Sequence, residues 1–248
     1  MGKRIYLSVI YIITLACIII GILGNVLNFS PFSRITFGSA GKYTEVSKDF
    51  SNVSDISIDM NLGKVTICKG SSLSAKFSGG EKYVPEMSVE GTTLVIKQKS
   101  HVAVTNVHDT DCSLTITVPE NLELKTLSAE VNMGDFTIEN VKIASVDTEV
   151  DMGNLKLDGL AMENCDADVN MGDLKIEDCV STTFDLSVDM GSIKIKGIDI
   201  SKYNAKLMVD MGDVKVNGDS VSNKYSCSAT GNKSLTADVN MGDIKVEK

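Results

Sequence analysis

One phrase recurs six times between Val131 and Val246: VNMGDFTI, VDMGNLKL, VNMGDLKI, VDMGSIKI, VDMGDVKV and VNMGDIKV. Its methionines fall at Met133, Met152, Met171, Met190, Met211 and Met241, at intervals of 19, 19, 19, 21 and 30 residues. A repeat this short cannot bury an apolar face by itself, so copies at a period near twenty must stack on one another. The pattern predicts a solenoid.

Taking each Met as position zero separates inward from outward side chains. Position minus six holds Leu127, Val146, Cys165, Phe184, Ala205 and Leu235, minus four holds Ala129, Thr148, Ala167, Leu186, Leu207 and Ala237, and minus two is always Val. Such alternation is a half-buried strand, because successive side chains leave a strand on opposite faces. After the Met the apolar positions become plus three and plus five, so the chain turns a corner at the glycine, which reaches backbone conformations that a Cβ forbids. A second corner follows at plus six and plus seven (Glu139-Asn140, Asp158-Gly159, Glu177-Asp178, Lys196-Gly197), and plus eight and plus ten are mostly apolar again. The expected fold is all-β: a parallel β-solenoid of about 19–21 residues and three short strands per coil. Continued through the Met, the alternation places the six methionines in an internal ladder as adaptable core filling. A soft-metal site is the other use for such a ladder, disfavoured because no His or Cys stands in register.

The first charges, Lys3 and Arg4, precede a run without charge from Ile5 to Leu27. Twenty-three helical residues reach about 34 Å, enough to cross a bilayer. With the positive residues inside, the N-terminus is expected in the cytoplasm and the rest of the chain outside the bacterial plasma membrane. A cleaved signal peptide and a lipid-modified Cys17 are the weaker alternatives. Residues 1–29 are thus read as cytoplasmic tip and transmembrane anchor, 30–42 as a stalk, 43–126 as a first coil with an N-terminal antiparallel cap, and 127–248 as solenoid repeats. The first coil is ISIDMNLGKVTI, with Leu62 at the Met position. In the cap, Glu86 to Lys99 reads as a hairpin turning at Glu90-Gly91, and Leu114 to Val118 as a strand ended by Pro119. Because Lys248 lies two residues beyond the last strand, the final coil is expected to leave an open end, unless Asn217 to Ser234 folds over it.

These segments resemble the bacterial putative-adhesin family of β-strand repeats. The likeness runs from about Tyr43 to Lys248, through LGKVTI, EGTTLVIK, LTITVPENLELKTL and the recurrent MGD. It implies a membrane-anchored surface β-solenoid without known catalytic residues, some relatives being accessory proteins of envelope-stress systems.

The residues themselves offer catalysis little. His101 and His108 are the only histidines, and His108, Asp109, Asp111 and Cys112 read as a polar loop rather than a metal site. No phosphate loop, nucleophile elbow or zinc helix motif occurs. No cofactor is expected. Cys68, Cys112, Cys165, Cys179 and Cys227 show no framework spacing, and Cys165 and Cys179 take inward positions, so free core thiols are expected rather than disulfides. The chain holds 33 Asp and Glu against 24 Lys and Arg, which argues against nucleic acid as a partner.

The acid residues are not scattered. Outward positions of the first strand hold Asp147, Asp166 and Asp185 at minus five, Glu130, Glu149, Asp168 and Asp238 at minus three, and Asp151, Asp189 and Asp210 at minus one, with Lys206 the lone base. On the next side Lys156, Lys175, Lys194, Lys215 and Lys245 form a column partly neutralised by Asp158, Glu177 and Glu247. An anionic wall keeps a flat sheet soluble. It also suits divalent cations or a cationic envelope or protein partner, although the nine-residue calcium repeat of β-rolls is absent. The functional expectation is a non-enzymatic surface binding or adhesion module. Its rival is a structural or regulatory accessory protein that docks on a partner or on itself.

Overall fold

Apolar and polar residues alternate on both sides of a glycine, so each repeat becomes a longer and a shorter strand joined at a corner. The computed structural model, which describes residues 43–99 and 111–248, shows this arrangement. The N-terminal part contains β1 (Tyr43–Asp49), β2 (Asp55–Met60), β3 (Lys64–Gly70), β4 (Ser74–Gly80), β5 (Glu86–Glu90), β6 (Thr93–Lys97) and β7 (Ser113–Pro119). Long and short strands then alternate as β8 (Glu123–Met133), β9 (Phe136–Glu139), β10 (Lys142–Met152), β11 (Leu155–Asp158), β12 (Asn164–Met171), β13 (Leu174–Glu177), β14 (Thr183–Met190) and β15 (Ile193–Lys196). The chain ends with β16 (Asn204–Met211), β17 (Val214–Val216), β18 (Asp219–Ser220), β19 (Lys224–Cys227), β20 (Ser234–Met241) and β21 (Ile244–Glu247).

Two sheets result. One runs β19-β16-β20-β14-β12-β10-β8-β2-β6-β5 and the other β1-β4-β7-β3-β9-β11-β13-β15-β21-β17-β18. Between successive coils the pairing is parallel and unshifted, so Val150 lies beside Val131 and Val169, and Leu155 beside Phe136 and Leu174. The inward columns, including Phe136, Cys165, Phe184 and Leu235, are fully buried between the sheets. Cys112, Cys165 and Cys179 are buried and form no disulfide, which places Cys112 in the core rather than in a polar loop.

Three expectations need correction. The methionines are not in the core: the repeat Met side chains are 37–62% exposed. Inside the angle between two packed sheets there is room only for the residues that flank the corner, here Val at minus two and the apolar residue at plus three. The chain begins its turn at the Met, and the side chain points outward over the bend. The corner glycine takes φ near +145°, and a Cβ on Gly153 would collide with the Gly134 carbonyl of the preceding coil. The first coil agrees, with Met60 at minus two buried and Leu62 at zero half-buried.

The third strand is also missing as a ladder. Positions plus eight and plus ten do point inward, as in Leu160 and Met162, but that side is held by single bridges from Lys142 to Ala161 to Val180. The left-handed residues Asn140, Gly159, Asp178 and Gly197 make the bend there too tight for more.

The last correction concerns order. The C-terminal coil, β20 and β21, is not terminal in space. It sits between β14–β15 and β16–β17, parallel to both. Asn217 to Ser234 leaves β17, pairs antiparallel as β18 and β19 along the outer coil, and returns to insert β20. This end of the stack is therefore covered rather than open. At the other end β2 and β3 lie directly on β8 and β9, β6 and β7 add one more parallel coil, and β5, β4 and β1 close it antiparallel.

The segments expected to form a transmembrane anchor and a stalk, together with His101, His108 and Asp109, lie outside the described residues. Among the described residues no helix is long and apolar enough to cross a membrane.

Candidate functional site

Unshifted parallel pairing turns each outward position of the long strands into a row across the sheet, with neighbours about 4.8 Å apart. In the minus-five row Asp147, Asp166 and Asp185 are immediate neighbours, bracketed by Ser128 and Thr236, with Lys206 beyond Thr236. The minus-three row runs Asp59, Glu130, Glu149, Asp168, Ser187 and Asp238. Asp59 carries an ion pair to Lys97 at 3.0 Å, so the row is neutralised only at its margin. The alignment that places Leu62 at zero already puts Asp59 at minus three; reading the outward column one coil further back would have found it.

The minus-one row differs, because its carboxylates are spaced by amides. Its order in space is Asn61, Asn132, Asp151, Asn170, Asp189, Asn240, Asp210. Asn170 Nδ2 donates to Asp151 Oδ1 at 2.6 Å, and Asn240 Nδ2 to Asp189 Oδ1 at 2.6 Å. Had the coils stacked in chain order, Asp189 and Asp210 would be neighbours. Insertion of β20 places Asn240 between them. All ten carboxylates expected on this side are on the long-strand sheet, but three of them, Asp151, Asp189 and Asp210, belong to this ladder rather than to a continuous acid surface.

In the contiguous rows the charge has a cost. Burial, with Asp151, Glu130 and Asp168 adding to it, holds the Glu149 carboxyl above its ordinary value. Burial likewise raises Asp166, helped by Asp168 and Asp185, and raises Asp168 against the opposing bond from Ser187. One oxygen of Asp238, Oδ1, is buried without a hydrogen-bond partner. Among the described residues no group of three or more His, Cys, Asp or Glu converges to hold a metal ion. The acid rows form a plate, not a chelate.

The other sheet pairs part of its charge internally. Lys156, Lys175, Lys194, Lys245 and Lys215 stack in one row, and Lys156 bridges to Asp158 at 2.7 Å, Lys175 to Glu177 at 2.9 Å and Lys245 to Glu247 at 2.6 Å. The lysine bonds hold Glu177 and Glu247 below the ordinary carboxylate range. Along the third side an open furrow of about 670 Å³ is lined by Cys68, Lys69, Glu139, Asn140, Val141, Lys142, Gly159 and Ala161. Burial, then the charge of Glu139, pushes the Cys68 thiol up, away from the thiolate that nucleophilic chemistry requires.

The corner residue at plus two has a structural task that the spacing did not disclose. Asn154 N donates to Asp135 Oδ1 at 3.0 Å, Asp173 N to Asn154 Oδ1 at 3.0 Å, Ser192 N to Asp173 Oδ1 at 2.9 Å and Asp213 N to Asp243 Oδ1 at 2.9 Å. The acid of MGD is thus a staple between coils.

A family model described as Toastrack DUF4097 matches residues 53–247. Among solved structures, a "putative cell adhesion protein" from Clostridium sporogenes is 14% identical, covers 83% of this chain and 99% of its own, and superposes with a TM-score of 0.54. A "putative adhesin" from Bacteroides fragilis is 14% identical, with 83% of this chain and 97% of that one covered and a TM-score of 0.45. At such identity the first of these shows a shared fold and no more. No curated protein matches the chain.

Proposed function

The chain belongs to the Toastrack DUF4097 family, and from that premise we propose that it is a non-enzymatic surface binding and adhesion module. Residues 5–27 anchor it in the bacterial plasma membrane with the N-terminus cytoplasmic and the solenoid outside. Its acidic sheet face docks a cationic partner, a protein segment or envelope polymer. One observation carries the reading: Asp147, Asp166 and Asp185 lie beside Glu130, Glu149 and Asp168 in two contiguous rows with no base between them, while Lys156, Lys175 and Lys245 of the opposite sheet are engaged in internal pairs. Carboxylates whose ionisation already costs free energy gain most from an incoming positive charge. A flat plate of this kind suits an extended polycation better than a discrete divalent ion, for which calcium at millimolar concentration is the corresponding weak ligand.

Self-assembly through the C-terminal end, one form of the rival accessory-protein reading, is opposed by the edges there. The outermost strands at the C-terminal end are two and four residues long, too short to template another chain.

The test uses the full chain in neutral phospholipid vesicles with poly-L-lysine as probe. Binding is expected to weaken steeply as salt rises, since the Debye length is only about 10 Å at 0.1 M. The combined variant Asp147→Asn, Glu149→Gln, Asp166→Asn, Asp168→Asn should bind at least about tenfold more weakly. Equal affinity of variant and parent at low salt removes the proposal.

A further inference from the structure

The methionine ladder takes no part in that docking face, and its exposure is unusual. Of the nine large hydrophobic side chains that stand exposed among the described residues, six are the repeat methionines. Core filling no longer accounts for them. Packing at the corner does not demand sulfur either, because Leu62 fills the same place in the first coil.

In space the rungs run Met133, Met152, Met171, Met190, Met241, Met211, each paired in register with the next. Parallel strands place them about 4.8 Å apart. A metal ion with sulfur bonds of about 2.3 Å, as at zinc, separates two ligating sulfurs by at most about 4.6 Å. Adjacent unbranched side chains can therefore close on one ion with little adjustment. The surroundings favour a cation. Asp151, Asp189 and Asp210 precede their methionines by one residue, Asp135, Asp173, Asp213 and Asp243 follow by two, and none of these flanking positions carries a base. Carboxylates attract cations without regard to softness, whereas thioethers select soft ones such as Cu(I).

We infer that the exposed ladder is a binding site for soft monovalent cations, Cu(I) or Ag(I), each held between thioethers of neighbouring coils. The site is independent of the acidic docking face and would survive the failure of that proposal.

Silver ion serves as probe, in chloride-free buffer, with the full chain carrying Cys17→Ser, Cys68→Ser and Cys227→Ser so that accessible thiols do not compete. With ¹³C-methyl methionine, the resonances of the six rungs should move on titration while those of buried Met60 and Met162 stay in place. Two triple variants then hold the number of thioethers constant. Met133→Leu, Met152→Leu and Met171→Leu leave Met190, Met241 and Met211 adjacent; Met152→Leu, Met190→Leu and Met211→Leu leave Met133, Met171 and Met241 each between leucines. The first should keep its silver affinity within about threefold and the second should lose at least about tenfold. Leu62 indicates that leucine is tolerated at the corner, and unchanged circular dichroism verifies it. Unmoved rung resonances, or equal losses in the two variants, would overturn the inference.

Discussion

Asn240→Asp converts the alternating minus-one ladder into three successive carboxylates, with the introduced one standing between Asp189 and Asp210. In the parent chain Asn240 Nδ2 donates to Asp189 Oδ1 at 2.6 Å, a bond to a charged acceptor of the kind that contributes about 1.5–3 kcal/mol, toward the lower end here because Asn240 is exposed. The new carboxylate stands about 4.8 Å from one neighbour on each side. In water two like charges at that distance repel by about 0.9 kcal/mol, so two pairs add about 2 kcal/mol before screening. The sum is about 3 kcal/mol at neutral pH and low salt. For a domain of this size it should lower Tm by about 6–12 °C. Asn170→Asp, between Asp151 and Asp189 with the same 2.6 Å bond, is the matched case. Thermal unfolding of both variants at 20 mM and 500 mM salt, and again at about pH 3, measures the two parts. Salt should recover the repulsive share, and acid most of the rest, because a protonated carboxyl can donate in place of the amide. If the coils were stacked in chain order, Asn240 would be the last rung with a single charged neighbour. A cost for Asn240→Asp of half that for Asn170→Asp, or none, refutes the inserted C-terminal coil.

Acidification should at first stabilise the fold. Burial raises Glu149, Asp166 and Asp168 in the folded chain, so each costs stability while ionised, and that cost is relieved as pH falls through the raised values toward the ordinary 4.5 and 3.8. Glu177 and Glu247 are lowered by their lysines; their contribution is present above 4.5 and lost as pH falls through the lowered values. Urea unfolding should therefore show stability that rises on acidification before it falls, and a steady decline from pH 7 to 4 contradicts the crowding of charge in those rows. Gly172→Ala sets a Cβ against the Gly153 carbonyl at φ +149°, and should cost more than about 3 kcal/mol or abolish folding, read from urea midpoints or soluble yield. Cys165 lies between Val146 and Phe184 in an inward column, so Cys165→Val should stay within about 1 kcal/mol of the parent while Cys165→Ser loses about 1–3 kcal/mol, and a serine variant as stable as valine would deny the burial.

The inward columns were legible because side-chain direction in a strand follows residue parity, and the parity break at the glycine marks the corner without any knowledge of the fold. The free thiols at Cys165 and Cys179 follow from the same count. Parity does not say on which side of the Met the turn begins, and that one-residue ambiguity is what moved six side chains from core to surface. The third strand failed for a related reason. Two inward residues between two tight bends satisfy the pattern, yet they leave room for only one bridge, as at Ala161.

Coil order was the least legible feature, since every copy of VxMG and its following strand can pair with every other in the same register. Local pattern is degenerate here, and the selection must come from positions where the copies differ. The minus-one column supplies one such position: Asn132, Asp151, Asn170 and Asp189 alternate along the chain, and the alternation continues only if Asn240 precedes Asp210 in space. The lengthened interval of 30 residues before Met241 is what allows it, because the chain must pass around the outer coil before it can insert. An amide placed between two carboxylates thus does for the order of a parallel stack what a charged pair does for the register of a hairpin: it sets one arrangement lower in free energy than its near-identical competitor.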